Sequence, residues 1–456
     1  MKATLHIPMT LHDVARAVGH TPPAVSCPID AVVTDSREAD TTSLFFALRG
    51  ERLDGNDYIE EALRRGAAVV CTRLHDGAMT VHDTRAALLA LARAYRERLP
   101  SLLKTVAVSG SVGKTTVKEL LASLLSADFD VHATVGNYNN EIGLSMTLLS
   151  APRATQLLVL ELGINHPGEM LPLAQTARAD IAVLTNVGHA HIGNFGCPEQ
   201  LVSEKLRIGD ALPDNGLLLV PDTDKRLCKH PRACPISVSD RGAPFALLSV
   251  NTGENTRTTV FLKDGNPLSE VALPFADEGA YRGAALAMTA AYLCGASPSG
   301  FTVSLAKRAD TCLRMKRRTF FGGGTVLDDT YNASPESVIN ALGVLSKKTD
   351  STRCVLLGDM RELGSYTEQM HRTIGKRVYE SGARRAFFFG VYAPFYRLGA
   401  IDAGMSASDI FINNDITAPE ITVQQIRTHC SGKETLLCKA SHGVHLENIL
   451  RSITVE

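Results

Sequence analysis

The feature that most restricts this chain is the run Val106-Ala107-Val108-Ser109-Gly110-Ser111-Val112-Gly113-Lys114-Thr115-Thr116-Val117. A short apolar strand enters a turn holding two glycines, and a helix-compatible stretch leaves it. The glycines let backbone N–H groups approach phosphate oxygens closely, and the helix N-terminus adds a favourable field for negative charge. Gly110, Ser111, Val112 and Gly113 make the cradle. Lys114 is placed to reach the β- and γ-phosphates, the Thr115 hydroxyl to ligate Mg²⁺, and Thr116 continues into the helix. The longer spacing common to such loops fails, because Val108 stands where its first glycine would be, so this is a shorter GxxGKT variant. A loop of this kind requires an α/β sheet whose strand ends face the ligand.

The rest of the chain supplies that sheet. Residues 105–108, 157–160, 181–184 and 216–220 are continuous apolar runs separated by helical stretches, the pattern of parallel strands buried on both faces. At 456 residues the chain is long enough for about three domains. The first is read as residues 1–100, with strands at 43–48 and 67–71 and a helix over 84–99 whose apolar positions Leu88, Leu91, Ala92 and Tyr95 share a face. The second covers 101–310 and includes a polar stretch, 222–266, expected to hold irregular strands and loops. The third, 311–456, alternates strands (325–327, 353–357, 385–389, 435–438) with helices (335–345, 367–381, 419–429) and reads as a smaller doubly wound unit.

Composition removes several function classes. A formal charge of -1 gives no reason to expect a nucleic-acid partner, and 5% aromatics with no tryptophan leaves no stacking platform. No run is long and apolar enough for a membrane helix, and the start does not read as a signal peptide. Ten cysteines without paired CxxC spacing read as reduced thiols rather than disulfides or zinc ligands.

ATP chemistry needs Mg²⁺, and Mg²⁺ wants oxygen ligands. The run Leu157-Leu158-Val159-Leu160 ends on Glu161, a carboxylate at the carboxyl end of a parallel strand. Taken alone, a glutamate facing water there is a fair competitor. The strand 181–184 leads to His191 at the same sheet edge, though a lone histidine is more often structural. Lys205, in a helical stretch over 199–212, reads by composition as an ordinary surface lysine.

With these motifs in order, the chain resembles the Mur ligases, and among them the branch that adds D-alanyl-D-alanine. The resemblance rests on Asp35-Ser36-Arg37 with Leu44 to Gly50 and Asp54-Gly55; on Gly110 to Thr116; on Gly136 to Gly143 around Asn140; on Glu161 to Glu169; on Asp328-Asp329-Thr330-Tyr331-Asn332-Ala333; on Gly358 to Gly364; and on Lys439-Ala440-Ser441-His442. It implies a three-domain α/β architecture: a UDP-substrate domain, a central P-loop domain with a parallel sheet, and a smaller doubly wound C-terminal domain. It implies a cytoplasmic, ADP-forming ligase joining D-alanyl-D-alanine to UDP-N-acetylmuramoyl-tripeptide through an acyl phosphate, with ATP and Mg²⁺ as cofactors; a monomer is expected. By the resemblance Lys114, His191 and Lys205 are catalytic, and Thr115, Glu161, His191 and Lys205 hold metal. Lys205 matches a lysine the family carbamylates. Arg317 joins the nucleotide site, while Ser36, Arg37, Asn140, Asp328, Tyr331 and Asn332 meet substrate.

The chain departs from the family at several positions. The stretch from Asp277 to Gly283 lacks the His-Asn pair and further asparagine that help hold adenine. Ser334, Lys316, Ser145, Arg207 and Ala440 replace asparagine, glycine, proline, glutamate and glycine. The alternatives are another ligase of the superfamily, a generic P-loop ATPase, and a degenerate relative that binds nucleotide or wall precursor without turnover. The first domain argues against a folate enzyme, and Tyr331-Asn332 against the diamino-acid enzyme.

Overall fold

The computed structural model describes residues 1–50, 52–253, 256–275, 278–307, 315–348 and 350–455. The expected boundary between residues 310 and 311 lies outside them, as does Asp277. Three sheets organise the chain. The first has the order Lys2–Thr10, Pro28–Val33, Ser43–Phe46, Ala68–Cys71 and Met79–Thr80; its first pair is antiparallel and the others parallel. The Asp83 side chain accepts from Arg85 and Ala86 N–H groups and so starts the helix Thr84–Arg96. That helix sends Tyr95 into the interior. Its hydroxyl accepts from the N–H groups of His6 and Ile7, where the first strand's register shifts, and donates to the Ala151 carbonyl. One buried phenol thus satisfies a bulge and ties the first sheet to the segment after the helix Glu141–Leu149.

The central sheet has nine strands, in the order Asn266–Leu273, Arg257–Lys263, Phe245–Thr252, Ala233–Ser237, Leu217–Pro221, Ile181–Leu184, Lys104–Ser109, Leu157–Glu161 and Val131–Ala133. From Phe245–Thr252 onward all neighbours are parallel. The polar region expected to hold irregular strands and loops continues the sheet as antiparallel strands with a register shift in each pairing, and polar residues alternate there with core-facing Leu247, Phe261 and Val271. Both faces of the parallel part are covered. Val106, Val108, Val159 and Val183 pack with Leu120, Leu121 and Leu124 of the helix Lys114–Leu125 and with Ala284 and Ala287 of the helix Glu278–Cys294. The alternate residues Ala107, Leu158, Leu160 and Ala182 belong to a second cluster that includes Leu144, Leu148, Leu173 and Leu201. This two-sided burial explains why the strands read as unbroken apolar runs.

The third sheet runs Ile410–Asn413, Arg385–Phe389, Arg353–Gly358, Thr435–Lys439, Thr325–Asp328, Lys316–Phe320 and Thr454–Val455. The first five are parallel and the last two add antiparallel at the edge. The strands Lys316–Phe320, Ile410–Asn413 and Thr454–Val455 were not legible as apolar runs. Lys316 to Thr319 are exposed, as suits an edge.

Candidate active site

Register places the chemistry. Val108 lies opposite Glu161, and Ser109 opposite Leu184, so the phosphate loop, Glu161 and the Thr185–Asn186 turn emerge at one sheet edge. The loop is locked there from below. The Asn186 carbonyl accepts from Ser111 N–H at 3.0 Å, and its side chain accepts from Val112 N–H at 3.0 Å while donating to the Val112 carbonyl at 2.7 Å. Thr185 Oγ1 donates to the same carbonyl at 2.6 Å. Gly110 (φ +145°) admits no side chain, since a Cβ would stand 2.0 Å from Thr185 Oγ1. Gly113 (φ +86°) starts the helix Lys114–Leu125.

Lys114 Nζ folds back over the loop, donating to the Gly110 carbonyl at 2.8 Å and more distantly to that of Ser111 at 3.4 Å. The Thr115 hydroxyl donates to Glu161 Oε2 at 2.8 Å, and the Asn139 amide donates to Glu161 Oε1 at 2.8 Å. Glu161 is 1% exposed and forms no ion pair among the described residues. A buried carboxylate held only by neutral donors is a group that a cation would satisfy. Two oxygens of this kind beside a phosphate loop fit a hard divalent ion.

Lys205 overturns its composition-based reading. It is 1% exposed, carried by the helix Pro198–Asp210, with Nζ 3.3 Å from the Gly110 carbonyl. Burial, and after it the Lys114 charge, hold the amine well below the usual lysine range against the opposing effect of Glu204. Periodicity could have flagged it: Leu201, Val202, Lys205 and Ile208 share the buried face. Its neighbour Arg207 pairs with Glu204 at 3.4 Å.

His191 sits at φ +65° and its Nδ1 pairs with Glu362, on the turn before the helix Thr367–Glu380, which leaves Nε2 as its remaining ligand atom. Among the described residues no group of three or more His, Cys, Asp or Glu side chains is gathered closely enough to hold a metal. Glu161 bonds Thr115 and Asn139 while His191 pairs with Glu362, so among the described residues no hydrogen bond links the two expected ligands.

The other expected residues divide. Ser36 is buried and donates to Glu61, while exposed Arg37 is paired to Asp35. Asn140 caps the helix Glu141–Leu149 by accepting from Gly143 N–H at 2.9 Å. Asp328 is buried, accepting from Arg318 and Thr330. Tyr331 is 49% exposed and its ring stacks with His442. The Asn332 carbonyl accepts from buried Lys439 Nζ at 2.7 Å, which also pairs with Asp329 at 2.7 Å. Ser334 caps the helix Pro335–Ser346 with a reciprocal bond to Ser337. Arg317 lies exposed on the strand Lys316–Phe320, next to the edge of the sheet.

Models of the Mur ligase family, catalytic domain, of the Mur ligase middle domain, and of the Mur ligase, glutamate ligase domain match residues 28–100, 108–262 and 313–442. The chain belongs to the Mur ligase family. The UDP-N-acetylmuramoyl-tripeptide–D-alanyl-D-alanine ligase of Bacillus subtilis is 31% identical over 452 residues, covering 93% of each chain. That of Escherichia coli K12 is 28% identical over 438 residues, covering 93% of this chain and 94% of its own. Crystal structure I of MurF from Acinetobacter baumannii superposes with a TM-score of 0.86, 27% identity and 98% of both chains covered. MurF of Thermotoga maritima in complex with ADP superposes at 0.78, with 28% identity over 92% of this chain and 96% of that one.

Against this Mur ligase frame the departures find local explanations. Where the family's adenine pair is missing, Tyr281 is buried, its hydroxyl donates to the Leu247 carbonyl, and Arg257 lies 4.0 Å over its ring while bonding Glu278. Gly283 packs against the phosphate-loop helix, 3.1 Å from Val117 Cγ2 at the position of an added Cβ. Asn139, Thr185, Asn186, Glu336 and Glu362 were missed as individual functional residues. Their types are common in loops, and only the fold shows which groups they hold.

Proposed function

We propose that this chain uses ATP to join D-alanyl-D-alanine to UDP-N-acetylmuramoyl-tripeptide, forming the UDP-muramoyl-pentapeptide of peptidoglycan synthesis. The observation that carries the reading is the single sheet edge that gathers the phosphate loop, Lys114, buried Lys205 and the Thr115–Glu161 pair. The likeness to D-alanyl-D-alanine ligases over nearly the whole chain supports the choice of substrates.

A carboxylate is a poor electrophile, so the tripeptide's terminal carboxylate oxygen first attacks the γ-phosphorus and ADP leaves. The free amine of the dipeptide then attacks the acyl carbon of the resulting acyl phosphate, and phosphate leaves with the bonding pair. The protein's part is positioning and charge neutralisation. Asn186 holds the Ser111 and Val112 N–H groups, so Lys114 and the start of the helix Lys114–Leu125 are assigned to the phosphates, with Thr116 and Arg317 beside them. Thr115 and Glu161, with His191 and a carbamylated Lys205, are the residues that would hold Mg²⁺, which would supply further charge neutralisation. Burial favours the neutral amine of Lys205, the form that attacks the carbon of CO₂ and loses a proton to become a carbamate. Ser36 and Arg37 are assigned to the UDP-linked substrate, along with Asn140. Asp328, Tyr331 and Asn332 are assigned to the dipeptide side. The three units are taken as 1–100, 101–310 and 311–456, acting as a monomer in the cytoplasm. No helix among the described residues is long and apolar enough to cross a membrane.

The test is phosphate release by purified protein with ATP, Mg²⁺, UDP-muramoyl-tripeptide and D-alanyl-D-alanine, omitting each in turn. Release that needs both peptides, with UDP-pentapeptide by mass, supports the reading. Nucleotide binding without release would return the chain to a binding-only relative.

A further inference from the structure

The loop leaving the strand Ile181–Leu184 is held from two sides. On one side Thr185 and Asn186 grip the phosphate loop, and Gly188 N–H donates to Ser111 Oγ at 3.0 Å. On the other side Glu336, in the first turn of the helix Pro335–Ser346, reaches across from the C-terminal sheet. Its Oε1 accepts from His189 N–H at 2.9 Å and from His189 Nδ1 at 2.6 Å. The carboxylate rests directly on Gly188, where an added Cβ would lie 2.2 Å from Glu336 Cδ. Oε2 is buried without a hydrogen-bond partner among the described residues, so the seat is tight rather than solvated. The same loop is gripped again further on. His191 pairs with Glu362, Gly193 N–H donates to the Glu362 carbonyl at 2.9 Å, and an added Cβ at Gly193 would lie 2.5 Å from Gly364 N. His191 and Glu362 both have φ near +65°, at 65° and 64°, conformations that persist only when their surroundings fix them.

We propose that Glu336 is a positioning residue that couples the two halves of the reaction: seated on Gly188 and His189, it fixes the stretch 331–334 against the phosphate loop. The inference rests on the ligase reading above. The Ser334–Ser337 capping box makes that stretch continuous with the helix start, so pinning Glu336 pins Tyr331 to Ser334. Gly188 is glycine because the carboxylate needs the space of its Cβ. An acyl phosphate waits for an amine and is otherwise lost to water, so loosening the seat lets phosphate leave without peptide being made.

The experiment uses the full chain and the variants Glu336→Ala and Gly188→Ala, reading phosphate released per UDP-pentapeptide formed as D-alanyl-D-alanine is varied. Wild type releases one phosphate per product. Each variant is expected to raise the Michaelis constant for the dipeptide about tenfold and to release excess phosphate, because truncating one partner of a partly buried charged contact frees the other. The double variant should be no worse than the worse single one, since both act through one contact. A fall in kcat with unchanged stoichiometry and unchanged dipeptide constant would mark a merely structural role and overturn the proposal. Small-angle scattering gives a readout independent of turnover: with ATP and Mg²⁺ bound, Glu336→Ala should be less compact than wild type. A wild type that forms no pentapeptide refutes the ligase reading by itself. Glu336 is then judged by scattering, where expansion supports the seat and identical profiles overturn it.

Discussion

Replacing Lys205 by methionine should make the protein more stable and inactive. The amine is 1% exposed and has a single long contact, 3.3 Å to the Gly110 carbonyl, with Lys114 as its nearest cation. Glu204 offsets an ammonium there only in part, since burial and the Lys114 charge outweigh it, and a neutral amine still leaves donors unused among the described residues. Methionine fills the volume with no polar atom. Exchanging poorly compensated buried polar groups for apolar ones of similar size gains about 1–4 kcal/mol. For a unit the size of the central one this corresponds to a rise of roughly 2–16 °C in its unfolding transition. The assay is differential scanning calorimetry in CO₂-depleted buffer, with ligase turnover alongside. Bicarbonate should then stabilise the wild type but not the variant, because the proposed carbamate would form only on the folded protein's buried amine. A variant less stable than wild type in the depleted buffer would refute the view of Lys205 as an uncompensated buried group. Retained turnover would refute its role in the reaction.

Lys114→Ala should leave the unfolding transition within about 0.5 kcal/mol of wild type, as for a partly exposed side chain, while turnover falls by more than a hundredfold; steady-state kinetics checks it. Gly110→Ala forces a side chain into φ +145° and against Thr185 Oγ1, a clash of 2.0 Å that must break the bond to the Val112 carbonyl. About 3 kcal/mol of lost loop geometry implies roughly a hundredfold weaker ADP binding by titration calorimetry, and unaltered affinity would contradict the lock described above. His371 is fully buried, with Nδ1 donating to the Thr367 carbonyl and Nε2 accepting from Met360 N–H, and burial pushes its pKa down from 6.5 to about 4. Above the unfolded value both states are neutral. As pH falls from 6.5 toward 4 only the unfolded chain takes the proton, so the C-terminal unit should lose about 3 kcal/mol over that window, from 2.5 units at about 1.36 kcal/mol each. Denaturant unfolding against pH measures this, and His371→Leu should flatten it.

The phosphate loop, the buried parallel strands and Glu161 were legible because each is a local signal. Glycines announce a turn with close backbone approach, unbroken apolar runs announce strands covered on both faces, and a carboxylate at such a run's end stands at the ligand edge. Three helices around the third sheet, Pro335–Ser346, Thr367–Glu380 and Pro419–His429, were legible as local stretches, whereas Ala393–Asp402 and Glu447–Ile453 were not. The antiparallel extension of the central sheet was not, since its strands alternate with polar residues on an exposed side. Lys205 was misread because a lysine's burial depends on what packs over its helix, not on its own composition. Glu336 and Glu362 meet the loop 188–193 across more than a hundred residues of chain, and no periodicity records a pairing at that separation. The sequence by itself therefore determined the buried parallel strands, several of the helices and the glycine-bearing loop between them. Only the tertiary structure decided which side chains lose water together, because desolvation and charge pairing are set by distant neighbours brought into contact.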